Sequence, residues 1–179
     1  MEHALVGHPG VDSSDFDVRS GQSGNVWFLA SPFGTIQRTV QIPTGKALFI
    51  INAEASDLEY GTVTEAAQRA LAKWLADHIV SVSCVVDGNA VGDIDQYRVE
   101  SPQFGFTAPD PWIFSPAPSG NGTAVADGYF VMLAPLSGGN HTIHFAGSFH
   151  FDAGELGPDP VDFGLDTTYK VAVLPPAQD

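Results

Sequence analysis

Hydrophobic and polar positions alternate along much of this chain, and the alternation has a period of two. In TIQRTVQI, Thr35 to Ile42, the residues Thr35, Gln37, Thr39 and Gln41 fall on one side, and Ile36, Arg38, Val40 and Ile42 on the other. That is the pattern of a strand with one face buried. NVWFLA (Asn25 to Ala30) is short, apolar and aromatic, and ALFII (Ala47 to Ile51) is apolar on both sides, so both read as buried strands. IVSVSCVV leads into Asp87-Gly88, a strong hairpin signal. DQYRVESPQFGF reads as a strand interrupted near Pro102. YFVMLAPL, a Ser-Gly-Gly-Asn turn and HTIHFAG make a further hairpin, and TTYKVAVL is the last strand.

The period changes once. Val63, Ala67, Ala70, Leu71, Trp74 and Leu75 form a stripe at helical spacing over residues 63–79. Thr62 and Glu65 have the T-x-x-E spacing of a capping box. Glu65–Arg69 and Lys73–Asp77 are favourable i,i+4 pairs on the opposite face. Some nine strands, short turns and one inserted helix predict an all-β fold. The expected form is an antiparallel β-sandwich, immunoglobulin-like or jelly-roll-like, with a closed barrel as the alternative. Residues 1–23 are turn-rich and read as a loose lead-in, and residues 24–179 as one domain.

Composition narrows the function classes. Twenty-one acidic residues against 7 basic ones give a net charge of −14. No Lys/Arg cluster exists to engage nucleic acid or an anionic membrane surface. Mean hydropathy is +0.04, and no run reaches the length of a membrane span. MEHALVGHPG has neither the basic nor the apolar part of a signal peptide. The expected compartment is therefore extracytoplasmic if a leader has been removed, and cytoplasmic otherwise. Cys84 is the single cysteine, so no intrachain disulfide forms. It alternates in phase with Val82 and Val86, as a buried thiol does.

QSGNVWFLA and PLSGGNHTIHFAG carry a resemblance. The residues are Gln22, Gly24, Val26 to Ala30, then Pro135, Leu136, Gly139 and His141 to Ile143. The chain resembles a family of uncharacterised bacterial proteins, usually exported, with Q-x-G-x-V-W-F-L-A early and P-L-x-x-G-x-H-T-I late. PTGKALFIIN and DQYRVESPQF are similar to its middle segments. The resemblance implies an exported β-rich protein and carries no activity. Family members often have cysteines where this chain has none.

Candidate chemistry is sparse. HTIHFAGSFHFD holds His141, His144 and His150. On a regular strand His144 and His150 share a face but lie roughly 20 Å apart. One metal ion needs its histidine nitrogens at about 2 Å, so no shared metal site is expected there. The acidic loop 152–166, with Asp152, Glu155, Asp159, Asp162 and Asp166, leaves irregular calcium binding open as the one cofactor. Nucleophile elbows, phosphate loops and dinucleotide fingerprints are missing from the sequence.

NAEASDLE is the densest polar cluster. Asn52 and Glu54 continue one face of the buried ALFII strand and emerge where it ends. Glu54 with Asp57, Arg38 and His141 would make a carboxylate-based hydrolase or lyase site. The competing reading is a clamp, because Arg38 in an apolar row must reach an edge or meet a carboxylate. Trp112 and Phe114, in a proline-rich loop, could display flat rings to a sugar, and Asn52 is the third ligand-binding candidate. The favoured expectation is a non-catalytic ligand-binding or structural module, with carbohydrate as the ligand class. A third expectation is an assembly protein pairing through sheet edges.

Overall fold

A computed structural model describes residues 17–19, 22–50, 54–56, 61–108, 110 and 118–174; at 49, 50 and 54–56 it describes the backbone. Among these residues, twelve strands and one α-helix run in the order β1 (Val26–Leu29), β2 (Gly34–Pro43), β3 (Ala47–Ile50), β4 (Glu54–Ser56), α1 (Glu65–Asp77), β5 (Ile79–Val86), β6 (Asn89–Ala90), β7 (Arg98–Glu100), β8 (Phe104–Ala108), β9 (Gly120–Tyr129), β10 (Val131–Leu133), β11 (Gly139–Phe151) and β12 (Val161–Leu174). The fold is mostly β, with several sheets, and among the described residues none of them closes into a barrel.

The largest sheet has the order β2-β12-β11-β5-β6. A second sheet is β1-β3-β10, and a third joins β4 and β7 to β9, with β8 also paired to β9. The pairing is mixed rather than antiparallel throughout: β1 runs parallel to β3, and β2 parallel to β12. Hydrophobic alternation fixes which face is buried, but it does not fix strand direction, so this difference left no mark in the sequence pattern. The strand after the acidic loop also begins earlier than expected. VDFGLD already belongs to β12, which leaves a loop of residues 152–160.

The main core lies between the first and second sheets. Trp27, Leu29, Leu48 and Val131 meet Val40, Ile42, Cys84, Ile143, Phe145, Tyr169 and Val171. The alternation in β2 is as expected, with Arg38, Val40 and Ile42 buried and Thr35, Gln37, Thr39 and Gln41 exposed. Cys84 is buried, and burial pushes its thiol pKa up, as an inert core thiol should show. Before β1, Val18 reaches the core, and the Gln22 side chain brackets Phe28. Its Nε2 donates to the Phe28 carbonyl at 2.9 Å, and its Oε1 accepts from the Phe28 N–H at 2.9 Å.

The helix forms where the stripe predicts, but it is turned and capped differently. Thr64, not Thr62, is the N-cap, and its hydroxyl accepts from Ala67 N. The buried line is Gln68, Ala72 and Ala76, flanked by Leu71 and Leu75, while Val63, Ala67 and Ala70 are exposed. Gln68 accounts for the rotation. It is fully buried, its Nε2 reaches Thr62 O, Thr123 O and Thr123 Oγ1, and its Oε1 accepts from Gln103. An amide with all these partners is stable in a core that a hydropathy stripe would deny it. The two i,i+4 ion pairs are formed, at 2.5 Å and 2.6 Å.

β11 and β12 approach closely at Gly164. A Cβ placed there would lie 2.6 Å from Gly147 O, a backbone atom that cannot swing away. Gly164→Ala is therefore expected to lower unfolding free energy by about 2 kcal/mol through forced strand separation. A urea midpoint equal to that of the parent protein would refute this.

Candidate functional site

The expected site residues divide sharply. Asn52, Asp57, Trp112 and Phe114 lie outside the described residues. Glu54 is in β4, opposite Ala126 of β9 in the ladder, and its side chain lies outside what is described. The clamp between Arg38 and Glu54 or Asp57 therefore also lies outside the described residues. Arg38 itself is 1% exposed. Its Nη1 donates to Ala30 O at 2.8 Å and to Tyr169 Oη at 3.1 Å, while Tyr169 Oη donates to the same carbonyl at 2.7 Å. Burial pushes the Tyr169 phenol pKa up, against the pull of the guanidinium.

His141 occupies a built corner. The hairpin turn between β5 and β6 puts Asp87 at φ 50° and Gly88 at φ 79°, the left-handed region that an Asp-Gly turn uses. That turn aims the Asp87 carboxylate at the first residues of β11. Oδ1 accepts the Thr142 N–H at 2.8 Å, and Oδ2 lies 2.7 Å from His141 Nδ1. His141 Nε2 lies 2.9 Å from Ser137 O. Both ring nitrogens thus face acceptors. A neutral imidazole has only one N–H, so the imidazolium alone satisfies both. In agreement, the Asp87 carboxylate and then the Ser137 carbonyl raise the His141 pKa, and His141 and the Thr142 N–H hold Asp87 below its usual range. Neither nitrogen is left to take a proton from a substrate.

Beside this corner lies a shallow depression of about 320 Å³, lined by Thr39, Asp87, Asn140, His141, Thr142 and Lys170. It opens on the outer face of the largest sheet. Register sets the side chains there in rows across the strands: Thr39, Lys170 and Thr142 in one, and Gln37, Thr168 and His144 in the next. All of these are exposed or half-buried. Lys170 has no ion pair with any described residue, whereas Arg19, Arg69, Lys73 and Arg98 all meet carboxylates. The alternation of β2 foretold the hydroxyl and amide side of this face. Its pairing with Lys170 depends on the parallel contact with β12, which has no local sequence signal.

The acidic loop is organised by histidines. Glu155 Oε2 accepts the Asp152 N–H at 2.6 Å, and its Oε1 lies 3.1 Å from His78 Nε2. His78 Nδ1 is 2.6 Å from Trp74 O, and the His78 ring stacks on Phe151 with centroids 4.4 Å apart. His150 Nδ1 is 2.7 Å from Asp162 Oδ1, and its Nε2 is 3.5 Å from Asp152 Oδ1. His144 Nε2 is 3.0 Å from Asp166 Oδ1. Of the five carboxylates expected in the loop, Asp152, Glu155, Asp162 and Asp166 are thereby engaged, the last two from β12, and Asp159 is exposed. Among the described residues, no group of three or more His, Cys, Asp or Glu side chains is placed to hold a metal ion. Among them too, no helix is long and apolar enough to cross a membrane. Comparison with family models, with curated proteins and with solved structures gives no match.

Proposed function

We propose that this chain is a non-catalytic, sandwich-like binding module that takes a carbohydrate on the outer face of its largest sheet. The observation that carries the reading is the row Thr39, Lys170 and Thr142 beside the depression at His141. Hydroxyl, amide and ammonium groups on a rigid sheet match the donors and acceptors of a polyol without needing a deep cavity. Two parallel pairings stand beside the antiparallel ones in this sandwich-like arrangement. The resemblance to exported proteins supports an extracytoplasmic setting. A ring platform at Trp112 and Phe114 and a calcium ion at loop 152–166 stay outside the reading.

The catalytic alternative at Glu54, Asp57, Arg38 and His141 is the weaker one, because His141 has both nitrogens engaged as a brace. The test is a titration of the labelled protein with a panel of neutral and acidic oligosaccharides, read by amide chemical shifts. Shifts should concentrate on Thr39, Thr142 and Lys170. Lys170→Ala should weaken binding about tenfold, the scale of one hydrogen bond to a charged group. Shifts confined to other surfaces, or none with any sugar, would remove the proposal.

A further inference from the structure

The strand β2 is the border of the largest sheet, with β12 on one side and no strand among the described residues on the other. A border strand presents a row of unused N–H and C=O groups. β2 is ten residues long, whereas the opposite border, β6, has two. Proteins usually protect a long border with lysine, proline or a bulge. β2 has no lysine, proline or bulge before Pro43, its last residue; its one charge, Arg38, points inward to Ala30 O and Tyr169 Oη, and its exposed side chains Thr35, Gln37, Thr39 and Gln41 are all uncharged. On a molecule of net charge −14, an uncharged strip is where a second like-charged copy can approach with least repulsion.

We propose that β2 pairs with β2 of a second copy of this chain, antiparallel about a two-fold axis at Thr39. A two-fold contact makes the strand its own partner, so the sum of paired residue numbers is constant. Directly opposed residues share a face, so that sum is even. Near the middle of β2 the choices are 76 and 78. The sum 76 sets Arg38 against Arg38 of the partner, two like charges in a buried row. The sum 78 sets Arg38 against Val40, Gln37 against Gln41 and Thr39 against Thr39, and it pairs residues 35–43. The outer faces of the two large sheets then form one continuous surface. This inference does not depend on which ligand that surface takes.

The test uses sedimentation equilibrium from low micromolar to submillimolar concentration. The parent chain should move from a species of 18.9 kDa to one of twice that mass. Gln37→Lys combined with Gln41→Lys should stay monomeric, and so should Gln37→Glu combined with Gln41→Glu. Both positions are exposed, so circular dichroism and melting should match the parent. An equimolar mixture of the two variants should dimerise again, because each introduced ammonium then opposes a carboxylate. The lysine variant also separates border repulsion from bulk charge: it lowers the net negative charge, so a bulk effect would strengthen association. A parent chain that stays monomeric throughout overturns the proposal. So does dimerisation that survives both double substitutions, or a mixture that stays monomeric.

Discussion

Replacing Arg98 by methionine should lower the unfolding free energy by about 3 kcal/mol, the largest single loss expected from a side chain outside the main core. Arg98 grips the Asp127 carboxylate with two nitrogens, Nε to Oδ1 at 3.0 Å and Nη2 to Oδ2 at 3.1 Å. Nη2 also reaches Asp77 Oδ1 at 2.6 Å, at the last residue of α1. The Asp127 side chain is only 7% exposed, while that of Arg98 is 29% exposed. The guanidinium therefore neutralises a carboxylate that water barely reaches, and it ties α1, β7 and β9 together. Its own pKa is held well above the ordinary arginine range, by Asp127 first and Asp77 second. Methionine keeps much of the packing and deletes the charge. Asp127 would then be buried without its cation, which costs more than the pair contributes. The double variant Arg98→Met with Asp127→Asn should recover part of the loss. Urea unfolding of the parent, both single variants and the double variant gives the comparison. A double variant no more stable than Arg98→Met would show that the loss is packing alone.

The second large effect is a melting temperature that rises on mild acidification, by several degrees between pH 8 and pH 5.5. His78, His141 and His150 each face acceptors with both ring nitrogens. Each has its pKa raised: His78 first by the Trp74 carbonyl, His141 first by Asp87, and His150 first by Asp162. A group whose pKa is higher when folded binds its proton more tightly in the folded state. The stability it contributes is full below its unfolded pKa, about 6.5, and is lost as pH rises through the folded values. The carboxylate partners set the acid limit. Asp87 and Glu155 are held below their usual range, chiefly by His141 and His78, so their contribution persists above about pH 4 and fades below their folded values. Maximum stability should therefore lie near pH 5 to 6. Scanning calorimetry across this range measures it. Changing all three histidines to glutamine should flatten the rise, and a parent chain that melts highest at pH 8 would contradict the assignment.

Local physics was legible in the sequence and long-range pairing was not. The alternation in β2, the buried phase of Cys84, the Asp87-Gly88 turn and the break at Pro102 all depend on near neighbours, and all are present. The i,i+4 ion pairs of α1 formed for the same reason. The face of α1 was misjudged because an apolar stripe gives no weight to a satisfied amide such as Gln68. Spacing relates His141, His144 and His150 only to one another, as metal ligands. Their hydrogen-bonded carboxylate partners, Asp87, Asp166 and Asp162, lie 12 to 54 residues away in the sequence, and no spacing rule joins them. Lys170 carries no local signal, because an isolated lysine on a strand gains meaning only from its neighbours across the sheet.

The glutamine before β1 has a consequence for how far assembly could go. The Gln22 amide presents one donor and one acceptor to the backbone of Phe28, which is what a neighbouring strand would offer. It acts as a plug, closing the outer border of β1 with a single side chain. A subunit with two open borders would add copies at both and grow into a filament. With β1 plugged and the other borders of the described sheets, β4, β6, β7, β8 and β10, no longer than five residues, growth through β2 would use up the one long border and stop at two. Gln22→Ala should therefore reveal itself less in the melting temperature than in the appearance of species larger than a dimer.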